Sequence, residues 1–496
     1  MQLIAVKDVF EEGRAFLEGK RDGQPHEKNL NKAEALFNEI LNNNLGHPGI
    51  LYCLGTVQLE RGHFALAIQL LSQVTQIDPK FGEAWNNMCL AYRGINDFER
   101  AVICARKAAK LISNADMPCN IAAMHLSRNM PEAALEWAEE ALKRDPGHIK
   151  AQWHKALALL EMRRWNEAWD WHESRLGGGG NESIAIRNYH GPDGMTPSWD
   201  GQKREAKTTV VIHGEQGMGD EIMFASCIPD ALQTGAKIIL EPSPRMEKLF
   251  KRSFPFAFVH GTDEVDGRSW IAIHGKPDFK CPVASLPKFY RRAPGSFPGT
   301  PYLRPDPALR GWWSDKLKAL HPSGPRIGLA WQGGVQQTRI EARSFHPTQF
   351  HPLLRGFPDV AWVSLQYDKT AQANVEEVRE KLGVKIAHWP KAVEARDPET
   401  QKPNDLDELV ALVSKLDLVI SVCQTAIHVA GALGVPCWCL TPSQPSWRYG
   451  AGESTTMPWY KSVELIRQPK GVLDWSPTMD AVAERLGRFL AQRKIA

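Results

Sequence analysis

The chain has no CxxC pair, no apolar run of membrane-spanning length and almost no imbalance of charge. Its nine cysteines are scattered singly through 496 residues. The nearest two, Cys437 and Cys439, alternate in an apolar stretch and would face the same side of a strand. That usage suggests neither a zinc site nor a disulfide framework, and a reducing cytoplasm is the expected location. A net charge of +3 argues against nucleic-acid binding through a bulk basic field. No membrane span is expected, and the opening MQLIAVKDVFEEGR turns acidic too early for a signal peptide. What is present describes a soluble globular protein, 43% hydrophobic and 24% charged. Its length exceeds what one core organises, so roughly two to four domains are expected. Tryptophan is plentiful and several copies fall near expected loops of the second half. That fits a carbohydrate or nucleotide site, although tryptophan is mostly a packing residue.

The first third is helical and self-similar. Leu54-Gly55, Ala67, Leu71 and Pro79 mark one unit. Trp85, Tyr92, Ala101 and Ala108 mark the next, and Ala134, Ala141 and Pro146 a third. A fourth begins near Ile149 and runs through Ala168, and an earlier half-match includes Ala33 and Phe37. Small residues sit where paired helices cross, large ones fill grooves, and prolines end each second helix. The period is close to the ~34 residues of tetratricopeptide repeats. Such arrays offer a face for peptide or protein, or serve as scaffolds. The domain expected is 1–178. Gly177 to Gly180 break any helix, and 179–206, rich in Gly, Pro and Asn, reads as a linker in which Trp199-Asp200-Gly201 either docks or swings free.

From Thr208 the pattern becomes α/β. Strands are expected at Thr209 to His213, Lys237 to Glu241, Ala257 to His260 and Trp270 to His274, with long loops from Lys276 to Pro305. A second run expects strands at Pro325 to Trp331, Val360 to Leu365 and Val384 to His388. Helices are expected at Pro347 to Leu354, Gln372 to Leu382, Asp405 to Leu416 and Thr478 to Arg493. The most regular stretch lies between these. Leu418 to Val422 is a strand buried on both faces, Cys423-Gln424-Thr425 a turn, Ala426 to Leu433 a helix, and Pro436 to Leu440 the next strand. Strands alternating with helices twice over give two doubly wound, Rossmann-like domains, 207–305 and 306–496, after the all-α solenoid.

Ligands in such sheets sit beyond the carboxyl ends of the strands. A phosphate on the amides of Gln424 and Thr425 is one reading of the regular stretch; an ordinary βαβ unit is the other. Gly214-Glu215-Gln216-Gly217-Met218-Gly219-Asp220 is a glycine-rich turn but not a Walker loop, since no Gly-Lys-Ser/Thr follows. Asp220 either caps the helix that starts there or serves as a general base. Arg339 and Arg343 lie in a polar loop after a strand, either solvated or matched to phosphate oxygens. Gln366 ends a strand and offers an amide to base, ribose or phosphate. His428 is a phosphate contact or a packed core histidine. Trp447 and Arg448 lie in a further loop after a strand.

Taken together, Gly214-EQGMGDEIMFAS, Gly328-LAWQG with Arg343-Ser344 downstream, Ser364-LQ, Asp417-LVISV, His428-VAGALGVP, Trp447-Arg448-Tyr449 and Pro458-Trp459-Tyr460 resemble the heptosyltransferase-like branch of the GT-B glycosyltransferases. Their order is that of bacterial proteins joining tetratricopeptide repeats to such a domain. The resemblance implies a nucleotide-diphosphate sugar as donor, bound by Trp331, Gln332, Arg343, Ser344, Gln366, Cys423, Gln424, Thr425 and His428. It implies an acceptor side at Glu215, Gln216, Gly217, Gly219, Trp447 and Arg448. Asp220 matches the proposed catalytic base of an inverting transfer to a glycan or protein hydroxyl, with no metal or other cofactor. The chain departs from the family at Cys423, where an aspartate is common, and in the short first α/β domain. The alternative is an interaction or assembly module whose transferase fold is degenerate; a nucleotide-sugar-binding regulator is a third reading.

Overall fold

The computed structural model describes residues 2–17, 26–43, 47–179, 187–190, 194–262, 269–334, 340–394, 396, 404–469, 472 and 474–495. The chain divides into two compact units, Met1–Ala158 and Leu159–Ala496. This division falls within the helix Ile149–Glu161, ahead of residue 178, where the helical domain is expected to end.

The first unit is built of helix pairs: Gln2–Leu17 with His26–Asn43, Pro48–Glu60 with Phe64–Ile77, Gly82–Gly94 with Phe98–Leu111, and Asp116–Leu126 with Pro131–Arg144. The repeat is visible in the backbone. The turns inside three successive pairs are closed by Gly62, Asn96 and Asn129, all left-handed at φ +75°, +59° and +55°. Glycine and asparagine are the residues that tolerate this conformation at a helix end. After each, an amide reaches back five residues, as from His63 to Gln58 and from Asp97 to Tyr92, both 2.9 Å. Ala67, Ala101 and Ala134 occupy one position of the second helices and are wholly buried. A Cβ on Gly55 would fall 2.8 Å from Leu71, so the Leu54-Gly55 pair marks a close helix crossing. The boundary prolines are held alike: Trp85 Nε1 donates to the Pro79 carbonyl and Gln152 Nε2 to that of Pro146, both at 2.9 Å. Arg144 donates to the carbonyls of Ala109, Ile112 and Asn114, spending acceptors that the end of the preceding pair leaves open. The unit is a tetratricopeptide-type helical array.

The second unit holds two sheets. β1 (Thr209–His213), β2 (Lys237–Glu241), β3 (Phe258–Val259) and β4 (Phe279–Pro282) are all parallel, in the order β3-β2-β1-β4. Trp270–His274, expected as a strand, is a short helix. Only Trp270 of that run is buried, while Ile273 is 72% exposed, so one helical face rather than an alternating one meets the core. The fourth strand comes instead from the proline-rich stretch expected as loops. The expected linker is not a free tether over its described residues. Trp199 N donates to Lys280 O and Lys280 N to Pro197 O, at 2.8 and 2.9 Å, so this segment covers the open edge of β4. Arg187 and Tyr189 reach the buried Glu241 at the end of β2.

The second sheet comprises β5 (Arg326–Ala330), β6 (Ala361–Ser364), β7 (Ile386–Ala387), β8 (Leu418–Val422), β9 (Cys437–Thr441), β10 (Thr456–Met457) and β11 (Tyr460–Arg467). Its order is β10-β11-β9-β8-β5-β6-β7, parallel except for β10. The chain leaves β5 first toward β6 and later returns to β8 on the other side. The order thus reverses between β5 and β8, the point at which ligands sit in sheets of this kind. β10 and β11 are additions to the expected strands. The core under this sheet gathers Ile327, Leu329, Trp362, Ile420 and Leu440 with Met479 and Leu486 of the final helix Ser476–Ile495.

Candidate functional site at the strand ends

Two turns meet in the second unit. After β1, a Cβ on Gly214 would lie 2.4 Å from the Glu221 carboxylate, so a side chain there would have to displace that carboxylate. Gln216 is left-handed at φ +62°, a conformation that costs a non-glycine residue roughly 1–2 kcal/mol. Gly217 then caps the helix Met218–Ala225. Asp220 stands in its first turn, and its carboxylate is held by Arg448 rather than by helix amides: the Nε and Nη2 atoms both meet Oδ1. Arg448 also donates to Gln216 Oε1 at 3.2 Å, and its guanidinium lies 5.0 Å over the Trp447 ring.

After β8, Cys423 and Gln424 turn the chain into the helix Thr425–Leu433. Gln424 is the N-cap with extended backbone, and its side chain caps nothing. It is 8% exposed, and its buried Nε2 has no hydrogen-bond partner among the described residues. The two turns touch. A Cβ on Gly219 would fall 3.0 Å from His428 Cδ2 and 3.7 Å from Thr425 Oγ1. His428 is buried, and Nδ1 lies 3.1 Å from the Tyr460 hydroxyl. Burial, then the charge of Arg448, pushes its pKa down to about 3, so it is neutral at pH 7. Tyr460 in turn lies flat against the helix, where a Cβ on Gly431 would strike its ring at 2.3 Å.

The loop after β5 closes on the same place. A Cβ on Gly333 would sit 2.6 Å from the Cys423 carbonyl. Gly333 N donates to Ser344 Oγ at 3.3 Å, and Arg343 ends a short 3-10 turn, Ile340–Arg343. Cys423 Sγ is 3.7 Å from Cys439 Sγ. Burial raises the Cys423 thiol, but the contact with Cys439 and the charge of Arg343, aided by Tyr449 and Arg467, carry its pKa below the ordinary value; Cys439 is pushed up by burial and by its neighbour.

Several expected site residues are placed elsewhere or are already engaged. Glu215 does not face an open cleft. It is buried in a two-pronged pair with Arg175, at 2.7 and 3.0 Å, and accepts Ala284 N at 3.0 Å. Gln366 is wholly buried, and its amide ties β5 to β6: Oε1 accepts from Trp331 N and Gln332 N, and Nε2 donates to Gln332 O and Asp368. The Trp331 ring belongs to the core below the sheet. Gln332 is half-buried beside it. Trp447 packs among Trp169, His172 and Phe224. Arg339 lies outside the described residues.

Other participants were not singled out as site residues in the sequence. Glu221 is buried, accepts from Ser243 N and Oγ, and burial lifts its pKa to about 7. Arg175 lies 40 residues from its partner Glu215. Tyr460 could have been sought opposite Gly431, since a glycine inside a helix marks a close approach. A cavity of about 690 Å³, lined by Phe254, Phe297, Tyr302 and Trp459 among others, contains none of the expected site residues.

No family model matches the chain. A crystal structure of MamA is 21% identical, covering 30% of this chain and 89% of its own, with a TM-score of 0.29. TTC0263, a thermophilic TPR protein of Thermus thermophilus, is 18% identical, covering 35% and 90%, with a TM-score of 0.27. These two similarities extend over about a third of the chain. Protein FlbA of Caulobacter vibrioides is 31% identical over 445 residues, which are 86% of this chain and 70% of that protein. With that identity sustained along most of both proteins, the chain belongs to the family of Protein FlbA.

Proposed function

We propose that the chain is an inverting glycosyltransferase of the heptosyltransferase-like GT-B kind, moving a sugar from a nucleotide-diphosphate donor to a hydroxyl of a glycan or protein, with the helical array binding acceptor or partner. In this reading the two parallel sheets are the Rossmann-like halves. The run β7-β6-β5-β8-β9-β11 has the strand order of nucleotide-binding doubly wound sheets, which supports it. The donor diphosphate rests on the N-terminus of Thr425–Leu433, where helix amides and the dipole favour an anion. Arg343 meets the charge that develops on the leaving diphosphate. Asp220 removes the proton of the acceptor hydroxyl as its oxygen bonds to the anomeric carbon and the bond to the diphosphate breaks on the opposite face. The reading calls for no metal.

The observation that carries it is the contact between the Asp220 turn and a helix N-terminus whose N-cap amide nitrogen is buried and unspent. Buried polar groups nearly always have partners, so Gln424 Nε2 is a donor in want of an acceptor. A second reading, an interaction module with a retired site, is favoured by Cys423 in place of a carboxylate and by the internal engagement of Glu215, Gln366 and Trp447.

A thermal-shift series of the full chain with ADP-, UDP-, GDP- and CMP-sugars separates the two. A donor at ~100 times its dissociation constant stabilises by roughly 2.7 kcal/mol. Stabilisation by one of them, with release of its sugar, is the expected result. If all four leave the melting temperature unmoved, the interaction module stands.

A further inference from the structure

The catalytic base of the proposed reaction is not free. Arg448, on the short turn Trp447–Tyr449 beyond β9, holds Asp220 and Gln216, both of which belong to the turn after β1. One side chain therefore ties the turn after β9 to the turn after β1. We propose that Arg448 is a positioning switch: it holds Asp220 in the ligand-free chain and transfers to the diphosphate of the donor, so that the base is released only once a donor is bound. This rests on the glycosyl-transfer reading and adds an order of events to it, donor before acceptor.

Three observations support the transfer. Both partners of the pair are 19% exposed, so the pair is open to exchange rather than sealed in a core. The Asp220 turn packs directly on the first turn of Thr425–Leu433, through Gly219 against His428 and Thr425. Arg448 also acts electrostatically on His428 in that turn, so an anion at the helix N-terminus lies within its field. A diphosphate outbids a single carboxylate because it carries more charge. While Arg448 is in place, both of its contacts with Asp220 fall on Oδ1 and fix the direction in which the carboxylate faces.

The test is a double-mutant cycle on the full chain, with ADP, GDP and UDP titrated calorimetrically into wild type, Asp220→Asn, Arg448→Gln and the double variant. Asp220→Asn is expected to tighten diphosphate binding about tenfold, because it frees Arg448, and Arg448→Gln to weaken it about tenfold. In the Arg448→Gln background, Asp220→Asn is expected to change affinity less than about twofold. An equal gain in both backgrounds overturns the proposal, since loss of a nearby negative charge then explains it. No gain also overturns it, since Arg448 then stays on Asp220 with ligand bound. Where Arg448→Gln fails to fold, Arg448→Lys keeps the charge without the two-pronged grip and is expected to shrink the gain at least about threefold. Binding to neither wild type nor Asp220→Asn sinks the nucleotide-sugar reading, and the switch with it; binding with an additive cycle sinks the switch alone.

Discussion

The turns after β1 and after β8 are built alike and finished differently. Each follows a fully buried strand and opens a helix. In the first, Glu215 is paired with Arg175 and Asp220 with Arg448. In the second, Gln424 keeps an amide nitrogen without a partner among the described residues, and arginines bear on Cys423. The first turn brings its own counter-charges. The second has a donor left over among the described residues. Polar groups placed at a ligand site are those the fold does not consume, so under the proposed function the contrast fits an anion at the second turn and a reacting side at the first.

Asp220→Asn gives the comparison its hardest test. It is expected to lower sugar transfer, read as donor hydrolysis or acceptor glycosylation, by ~10²–10⁴-fold with the melting curve nearly unchanged. Unchanged turnover would remove Asp220 from the mechanism. Arg175→Met should do the reverse. It leaves Glu215 buried and unpaired, which costs roughly 3–5 kcal/mol in urea unfolding. Exchanging both for apolar residues of similar volume should restore most of that loss. A small effect of Arg175→Met would mean that the first turn does not depend on its buried pair.

How much of this was legible follows the same divide. The repeat array was, because Ala67, Ala101 and Ala134 recur in register and each does the same packing job. β8, its turn and the helix after it were, because an apolar run, a polar break and Gly434-Val435-Pro436 are local signals. The Trp270–His274 helix was not, since a five-residue apolar run carries no decisive period. Nor was the fate of Glu215 and Gln366. A glycine-rich turn announces that something approaches its backbone but not whether that is a ligand or Arg175. The ion pairs Arg175–Glu215 and Arg448–Asp220 join residues far apart in sequence, and only the fold brings them together.

The two turns also titrate in opposite senses. Burial holds Glu221, next to Asp220, at a pKa of about 7, above its unfolded value of ~4.3. Its contribution to stability is therefore full below pH ~4.3 and lost as pH rises through about 7, on the order of 2–3 kcal/mol. His428, in the second turn, is depressed to about 3. Its contribution is present above pH ~6.5 and lost as pH falls toward 3. Glu221→Gln should remove the loss between pH 5 and 8 in urea titrations and leave the acid-side loss intact. Parallel curves for variant and wild type would show that Glu221 does not ionise in this range.

Gln424→Ala probes the smallest difference and the one on which the site assignment turns. In the first turn, removing a polar side chain breaks a made contact; here the amide nitrogen has none among the described residues. The Nε2 atom is buried without an acceptor among the described residues, a state that costs ~1–3 kcal/mol. Truncation removes that cost but opens a small void and loses the packing of the side-chain stem, so the melting temperature should shift by no more than a few degrees. If the amide waits for a phosphate oxygen, the same change loses one hydrogen bond to a charged group, ~1.5–3 kcal/mol, or about a tenfold or greater weakening of nucleoside diphosphate binding. Affinity and stability thus part company at Gln424, whereas at Arg175 stability falls first and carries affinity down with it. A Gln424→Ala variant that melts several degrees lower yet binds the diphosphate as tightly as wild type would make the amide a packing group, and the second turn would then be as closed as the first.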